Sequence, residues 1–235
     1  MKKNTFLLLT TLLLLLSCKS DKEYPYEYWS RLVDEKHKEI VALTESVTCT
    51  DIEEFEIIPF GAYMAPQYYL RHFSIQLAFD KLLAELDHLQ NERIRAAARE
   101  GIYSGIWMPN PPLHKACKDG KAKLIFAQDL SLEKINEELP IRYEEIKNFY
   151  NDVSCTDSEE WSVGLLLRSE CCYEPIAKHK TIDSIEINEK IDIYNRLMER
   201  KHQLENTSCI QINCEATTNT LSCMNGKPTI KIAHQ

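Results

Sequence analysis

The 235-residue sequence predicts an α+β fold made of two tandem repeats of a small disulfide-stapled module, each ordered as helix, strand, long helix and β-hairpin. Two recurrences carry that expectation. Val47-Thr48-Cys49-Thr50-Asp51-Ile52-Glu53-Glu54-Phe55 returns as Val153-Ser154-Cys155-Thr156-Asp157-Ser158-Glu159-Glu160-Trp161, and Cys117-Lys118-Asp119-Gly120-Lys121 returns as Cys223-Met224-Asn225-Gly226-Lys227. Both cysteine pairs keep one step of 106 positions (155 − 49 and 223 − 117), so each copy encloses the same interval. A fixed step of this kind marks the duplication of one unit. The boundaries it gives are 27–126 for the first module and 127–235 for the second.

The elements follow in order. Trp29, Leu32, Val33, Ile40, Val41 and Leu43 recur at helical spacing and predict a helix from Glu27 to about Ser46. Tyr24, Tyr26, Tyr28 and Trp29 gather aromatic surface at its start, which suits the cover of a core edge. In the second module the matching helix is expected in two pieces, Leu132 to Leu139 and a second opened by Pro140, since proline fits a first helical position. Thr50 with Glu53, and Thr156 with Glu159, have capping-box spacing. The alternative for Asp51, Glu53, Glu54, Asp157, Glu159 and Glu160 is a cation site, but a calcium loop needs further oxygen ligands and none follow.

Phe55 to Tyr63 and Trp161 to Leu167 read as strands, and a long helix follows each. Ile75, Phe79, Leu82, Leu86 and Leu89 line the first, which Gly101 ends; Ile187, Ile191, Tyr194 and Met198 line the second. His72 and His179 stand at matching places before these helices, with no nucleophile motif nearby, and read as cap or surface residues. Asp119-Gly120 and Asn225-Gly226, flanked by β-compatible runs, call for two-residue turns with positive φ at both central positions. Leu113–Lys118 with Lys121–Phe126, and Thr220–Met224 with Lys227–Ile232, are therefore expected hairpins.

The amino terminus has a different logic. Met1-Lys2-Lys3 and the apolar run Phe6 to Leu16 have the form of a secretory signal too short to span a bilayer. The run ends at Leu15-Leu16-Ser17-Cys18, which resembles a bacterial lipobox and implies an acylated Cys18 as the mature first residue, with 1–18 as the signal and 19–26 as a tether. Two or three buried acyl chains hold a protein in a bilayer where one does not. The chain carries 28 basic and 36 acidic residues; without Lys2 and Lys3 the basic count is 26 and the net charge −10. That balance argues against nucleic acid, whose phosphates need a lysine- or arginine-rich face.

Eight cysteines remain beyond Cys18, an even number in an exported chain, and oxidising compartments favour disulfides. If each module closes its own bridges, Cys49 pairs with Cys117, the only two in the first module, and by internal homology Cys155 pairs with Cys223. Cys171, Cys172, Cys209 and Cys214 are left; neighbours seldom bond each other, so Cys171 and Cys172 each reach to Cys209 or Cys214, in an order the sequence leaves open. Zinc held by these four is the lesser reading, because no Cys-x-x-Cys knuckle is present.

The second module resembles a short cysteine-bearing module of exported Bacteroidota lipoproteins. The resemblance rests on Cys155-Thr156-Asp157 with Trp161, on Cys172 with Pro175, on Cys209, and on Cys223-Met224-Asn225-Gly226-Lys227. It covers about residues 153–232 and, more loosely, 47–126. It implies export and fold rather than a reaction. The acidic mature start, Cys18-Lys19-Ser20-Asp21-Lys22-Glu23, resembles the tethers of surface-displayed lipoproteins, which implies an outer-membrane protein of the cell envelope.

Two classes of function remain. One is a non-catalytic lipoprotein bound to the bilayer through Cys18, which holds a protein or glycan partner or forms part of an assembly, without cofactor or metal. The other is a hydrolase or a thiol-disulfide oxidoreductase. The sequence carries no Gly-x-Ser-x-Gly, His-Glu-x-x-His, phosphate-binding glycine loop or Cys-x-x-Cys. The first class is the one the sequence favours.

Overall fold

The two Asx-Gly turns set the geometry of the cysteine frame. Asp119 and Gly120 have φ of 54° and 73°, and Asn225 and Gly226 have 52° and 72°, the left-handed values that a type I′ turn requires. They join β3 (His114–Lys118) to β4 (Lys121–Ile125) and β7 (Thr217–Met224) to β8 (Lys227–His234). Each turn also offers its glycine carbonyl to a cysteine: Cys49 N–H donates to Gly120 O and Cys155 N–H to Gly226 O, both at 2.8 Å. Disulfides Cys49–Cys117 and Cys155–Cys223 close alongside, each across 68 positions. A loop of that length is worth about 4 kcal/mol in the chain-entropy account.

These elements belong to a computed structural model that describes residues 23–61, 66–102, 109–209, 214 and 217–234. Cys18, the expected signal segment 1–18 and residues 19–22 of the expected tether lie outside the described residues. The chain is mixed helix and strand; among the described residues there are four disulfides and four two-stranded antiparallel hairpins. The first half runs α1 (Tyr26–Glu45), a 3-10 turn, β1 (Phe55–Phe60), β2 (Gln67–His72), α2 (Gln76–Glu100), β3 and β4. The second runs α3 (Leu132–Asn148), a 3-10 turn, β5 (Trp161–Leu167), β6 (Tyr173–His179), α4 (Ser184–Leu204), β7 and β8.

The chain divides into two units. One takes Met1–Glu39 with Asp80–Gly105, the other Ile40–Phe79 with Ile106–Gln235. In the first unit the described residues supply two helical stretches, one from α1 and one from α2. Val33, Leu86 and Ala96 are fully buried there, and Lys36 Nζ donates to Glu85 at 2.8 Å. Tyr24 stacks on Tyr28 with ring centres 4.2 Å apart, and Trp29 meets both edge-on. Gly101, at φ 67°, stops α2, and Ile102 N–H closes back on Ala97 O at 2.9 Å.

The second unit holds both disulfide frames. Cys49, Phe55, Leu70 and Ala122 form a small core under β1–β2 and β3–β4. The larger core lies under α3 and α4, built on Ile135, Trp161, Leu166, Ile187, Leu197 and their neighbours. α4 packs against β5 at Gly164, where a Cβ would stand 3.0 Å from Ile191 Cδ1, so only a bare backbone lets helix and strand approach this closely.

Four expectations need correction. A second strand, β2 or β6, follows the first in each half, so the order is helix, two strands, long helix, two strands. α3 is one helix with Pro140 inside it, not two pieces. Ile135, Leu139 and Ile146 are buried on both sides of the proline, and that shared face offsets the cost of one missing N–H and the steric clash. The caps of the 3-10 turns are Asp51 and Asp157 rather than Thr50 and Thr156: their Oδ1 atoms accept from Glu53 N at 2.9 Å and Glu159 N at 2.8 Å. A one-turn helix places the second residue's N–H nearest the cap, which a short carboxylate reaches.

The last correction concerns the histidines. His72 and His179 are both buried, at 6% exposure, not surface residues. Register sets His72 opposite Phe55 and His179 opposite Trp161, and each imidazole packs on that ring. Nδ1 accepts backbone N–H groups beyond the strand, from Ser74 at 3.1 Å and from Thr181 and Ile182 at 3.2 and 3.0 Å. His72 thus caps the 3-10 turn Phe73–Ile75 from inside the core, whereas His179 holds the turn that precedes α4, whose N-cap is Asp183.

Candidate functional site

The site begins with a turn that the sequence makes awkward. Between β5 and β6 the chain reverses over Arg168–Cys172, with Arg168 N–H bonded to Cys172 O at 2.8 Å and Cys171 N–H to Arg168 O at 2.9 Å. Cys171 takes φ 64°, a left-handed conformation that costs a residue with a Cβ about 1 kcal/mol. Two cross-links hold it: Cys171 is bridged to Cys209, across 38 positions, and Cys172 to Cys214, across 42. The corresponding β1–β2 connection carries no cysteine. The extra pair thus immobilises one particular turn.

That turn presents Arg168 and Ser169 to a cavity of about 420 Å³ whose other walls come from α3 and α4. Leu139, Pro140 and Met198 supply apolar surface, Tyr143 and Tyr194 supply two rings with centres 6.1 Å apart, and Lys201 adds a second cation. Asn136 also lines it. Its carbonyl has no helical donor, because the residue four positions on is Pro140. The volume falls within the range of small-ligand sites.

Glu174 on β6 fixes the wall. It accepts from Tyr143 Oη at 3.0 and 3.1 Å, from Lys147 Nζ at 3.2 Å and from Arg168 at 2.5 Å. Burial pushes the Glu174 carboxyl up, but the hydrogen bonds from Arg168, Tyr143 and Lys147 outweigh it and hold the group below the usual carboxylate range. Burial, then the bond to Glu174, push the Tyr143 phenol up, so it stays a donor at neutral pH. Burial likewise raises Tyr194. A guanidinium has five N–H donors; Glu174 takes one from Nη1 and Glu170 stands 3.7 Å from Nε, so Arg168 keeps capacity for a further acceptor.

Chemically, two tyrosines, the cations Arg168 and Lys201 and the carboxylate of Glu144 border an apolar floor of Leu139, Pro140 and Met198. Such a set recognises a ligand with polar acceptors and hydroxyls. Neither Tyr143, Glu174 nor Arg168 belongs to a sequence motif. They sit on a helix, a strand and a turn, and the one local signal was the doubled Cys171-Cys172 beside Arg168.

The residues singled out by sequence fall elsewhere. Asp51, Glu53, Asp157 and Glu159 belong to the caps. Glu54 Oε2 lies 3.3 Å from His72 Nε2 and Glu160 Oε2 lies 3.9 Å from His179 Nε2, so the second glutamate of each Glu-Glu pair faces a buried imidazole. Cys171, Cys209 and His202 draw together, with the two sulfurs already bonded to each other. Compared with protein families, curated proteins and solved structures, the chain matches none.

Proposed function

We propose that the protein is a lipoprotein of the cell envelope, acylated at Cys18 in the outer membrane and displayed at the surface, where it holds a protein or glycan partner without turning it over. We further read the chain as two tandem copies of one module, akin to the short cysteine-bearing modules of exported Bacteroidota lipoproteins. The shared element order, the equal 68-position bridges and the equivalent caps support that reading. The second copy carries the extra pair of bridges.

The observation that carries the binding reading is the cavity beside the Arg168–Cys172 turn. Its rings and cations are positioned by ion pairs and disulfides that present a fixed surface, which lowers the ordering cost of association. A lipid anchor adds to this by confining the protein and its partner to one surface, raising the effective concentration. The test is capture from envelope fractions on the immobilised mature chain, with the wild type set against the Arg168→Ala/Lys201→Ala double variant. Retention of one partner by the wild type and its loss in the variant is the expected result. Equal retention by both would remove the cavity from the account. Fatty-acid labelling of cells tests the anchor separately: label present in the wild type and absent in Cys18→Ala is expected.

A further inference from the structure

We propose that the Cys171–Cys209 bridge is a thiol-exchange site, opened by low-molecular-weight thiols, with His202 as the proton acceptor. The inference does not depend on what the cavity binds. It rests on three features of one cluster.

The first is the position of the imidazole. His202, in the last turn of α4 and 5% exposed, sets Nδ1 3.4 Å from Cys209 Sγ and 3.9 Å from Cys171 Sγ. The second is its tautomer. Nε2 lies 3.2 Å from the Ser169 carbonyl oxygen, which can only accept, so Nε2 carries the hydrogen and a neutral ring keeps its Nδ1 lone pair toward the sulfurs. The third is access. Cys209 is exposed just past the end of α4, whereas Cys171 is buried at 9%. Cys209 is thus the residue of the pair that an incoming thiol meets first, while Cys171 would be released beside the base.

An external thiol gives its proton to His202 Nδ1 and its sulfur attacks Cys209 Sγ. The Cys171–Cys209 bond breaks with its electron pair on Cys171, which becomes a thiolate next to the imidazolium. The exchange leaves a mixed disulfide on Cys209. A second external thiol then attacks that mixed disulfide and frees Cys209. Two thiols are oxidised to one external disulfide, and the protein bridge is reduced to two thiols. Thiolate formation limits such exchanges, so a base at hydrogen-bond reach accelerates them.

Opening this bridge also unties the left-handed Cys171 from its anchor, in the same turn that presents Arg168 and Ser169 to the cavity. The exchange site and the cavity rim are one piece of chain.

The experiment treats the folded, mature, fully oxidised chain with reduced glutathione under native conditions. Acid quench, alkylation and peptide mapping then follow each cysteine with time. The expected first product carries glutathione on Cys209 and an alkylated Cys171, while Cys49–Cys117, Cys155–Cys223 and Cys172–Cys214 are intact. His202→Gln should slow its appearance at least tenfold, with its fold checked by circular dichroism and by the three other bridges. A first adduct on any other cysteine, or the opening of all four bridges together, overturns the proposal. So does a folded His202→Gln that reacts at the wild-type rate. If that variant does not fold, the order of opening and the adduct position in the wild type decide alone.

Discussion

Replacing Asp192 by asparagine should raise the stability of the fold at pH 7.5. Asp192 lies on α4, partly buried, with Arg196, Lys178 and Glu189 as the charges that act on it. Burial lifts its carboxyl from 3.8 to about 6, against the opposing pull of Arg196 and Lys178. That displacement corresponds to at most about 3 kcal/mol on the charged form, and screening of a group this close to solvent reduces it to roughly 1–2 kcal/mol. The sign follows from proton uptake. Between the unfolded value near 4 and the folded value near 6 the native state binds the extra proton, so this contribution is fully present below about pH 4 and is lost as pH rises through about 6. Urea unfolding with all disulfides intact, run for wild type and Asp192→Asn at pH 7.5 and at pH 4.5, isolates the effect. The variant should be more stable by about 1–2 kcal/mol at pH 7.5, and the difference should shrink at pH 4.5. A variant that is neutral or less stable at pH 7.5 would show that the attraction of Arg196 and Lys178 outweighs burial, and the reasoning would fail.

Glu174 works in the opposite direction. Its carboxyl is held low in the folded state, so its contribution is present above the ordinary carboxylate range and disappears as pH falls below it; Glu174→Gln should cost about 1–2 kcal/mol at pH 7 and flatten the acid limb of the unfolding curve. Gly164→Ala places a methyl against Ile191 and Ile176 and should cost about 1–3 kcal/mol in the same assay, with no loss of disulfides. Pro140→Ala restores an N–H for the Asn136 carbonyl and should stabilise α3 by about 1–3 kcal/mol, while capture of the partner falls if that carbonyl contributes to the cavity.

The sequence made the cysteine frame legible because its rules are short-range. Asx-Gly between β-compatible runs dictates positive φ, and equal intervals between Cys49 and Cys117 and between Cys155 and Cys223 point to equivalent bridges. What it hid was set by packing. β6 reads poorly as a strand because Tyr173–His179 contains Pro175 and two charged residues, yet Pro175 pairs opposite Leu165 once β5 is in place. β2 is obscured by the helical pattern that starts at Ile75. Pro140 signals a helix start by local preference, and only the buried face through Ile135, Leu139 and Ile146 carries the helix across it. His72 and His179 look like surface caps until register places each one against an aromatic ring. The cavity was invisible for a related reason: Tyr143, Arg168, Glu174 and Tyr194 converge from four elements, and no local pattern links them.

The central claim is that the protein holds its partner rather than transforming it. The measurement that tests it most directly keeps the captured partner with the mature chain for hours under native conditions and then compares its mass and end groups with those of partner kept alone. The account predicts a partner recovered unchanged and still bound. A partner cleaved or otherwise modified, by wild type but not by the Arg168→Ala/Lys201→Ala variant, would contradict it.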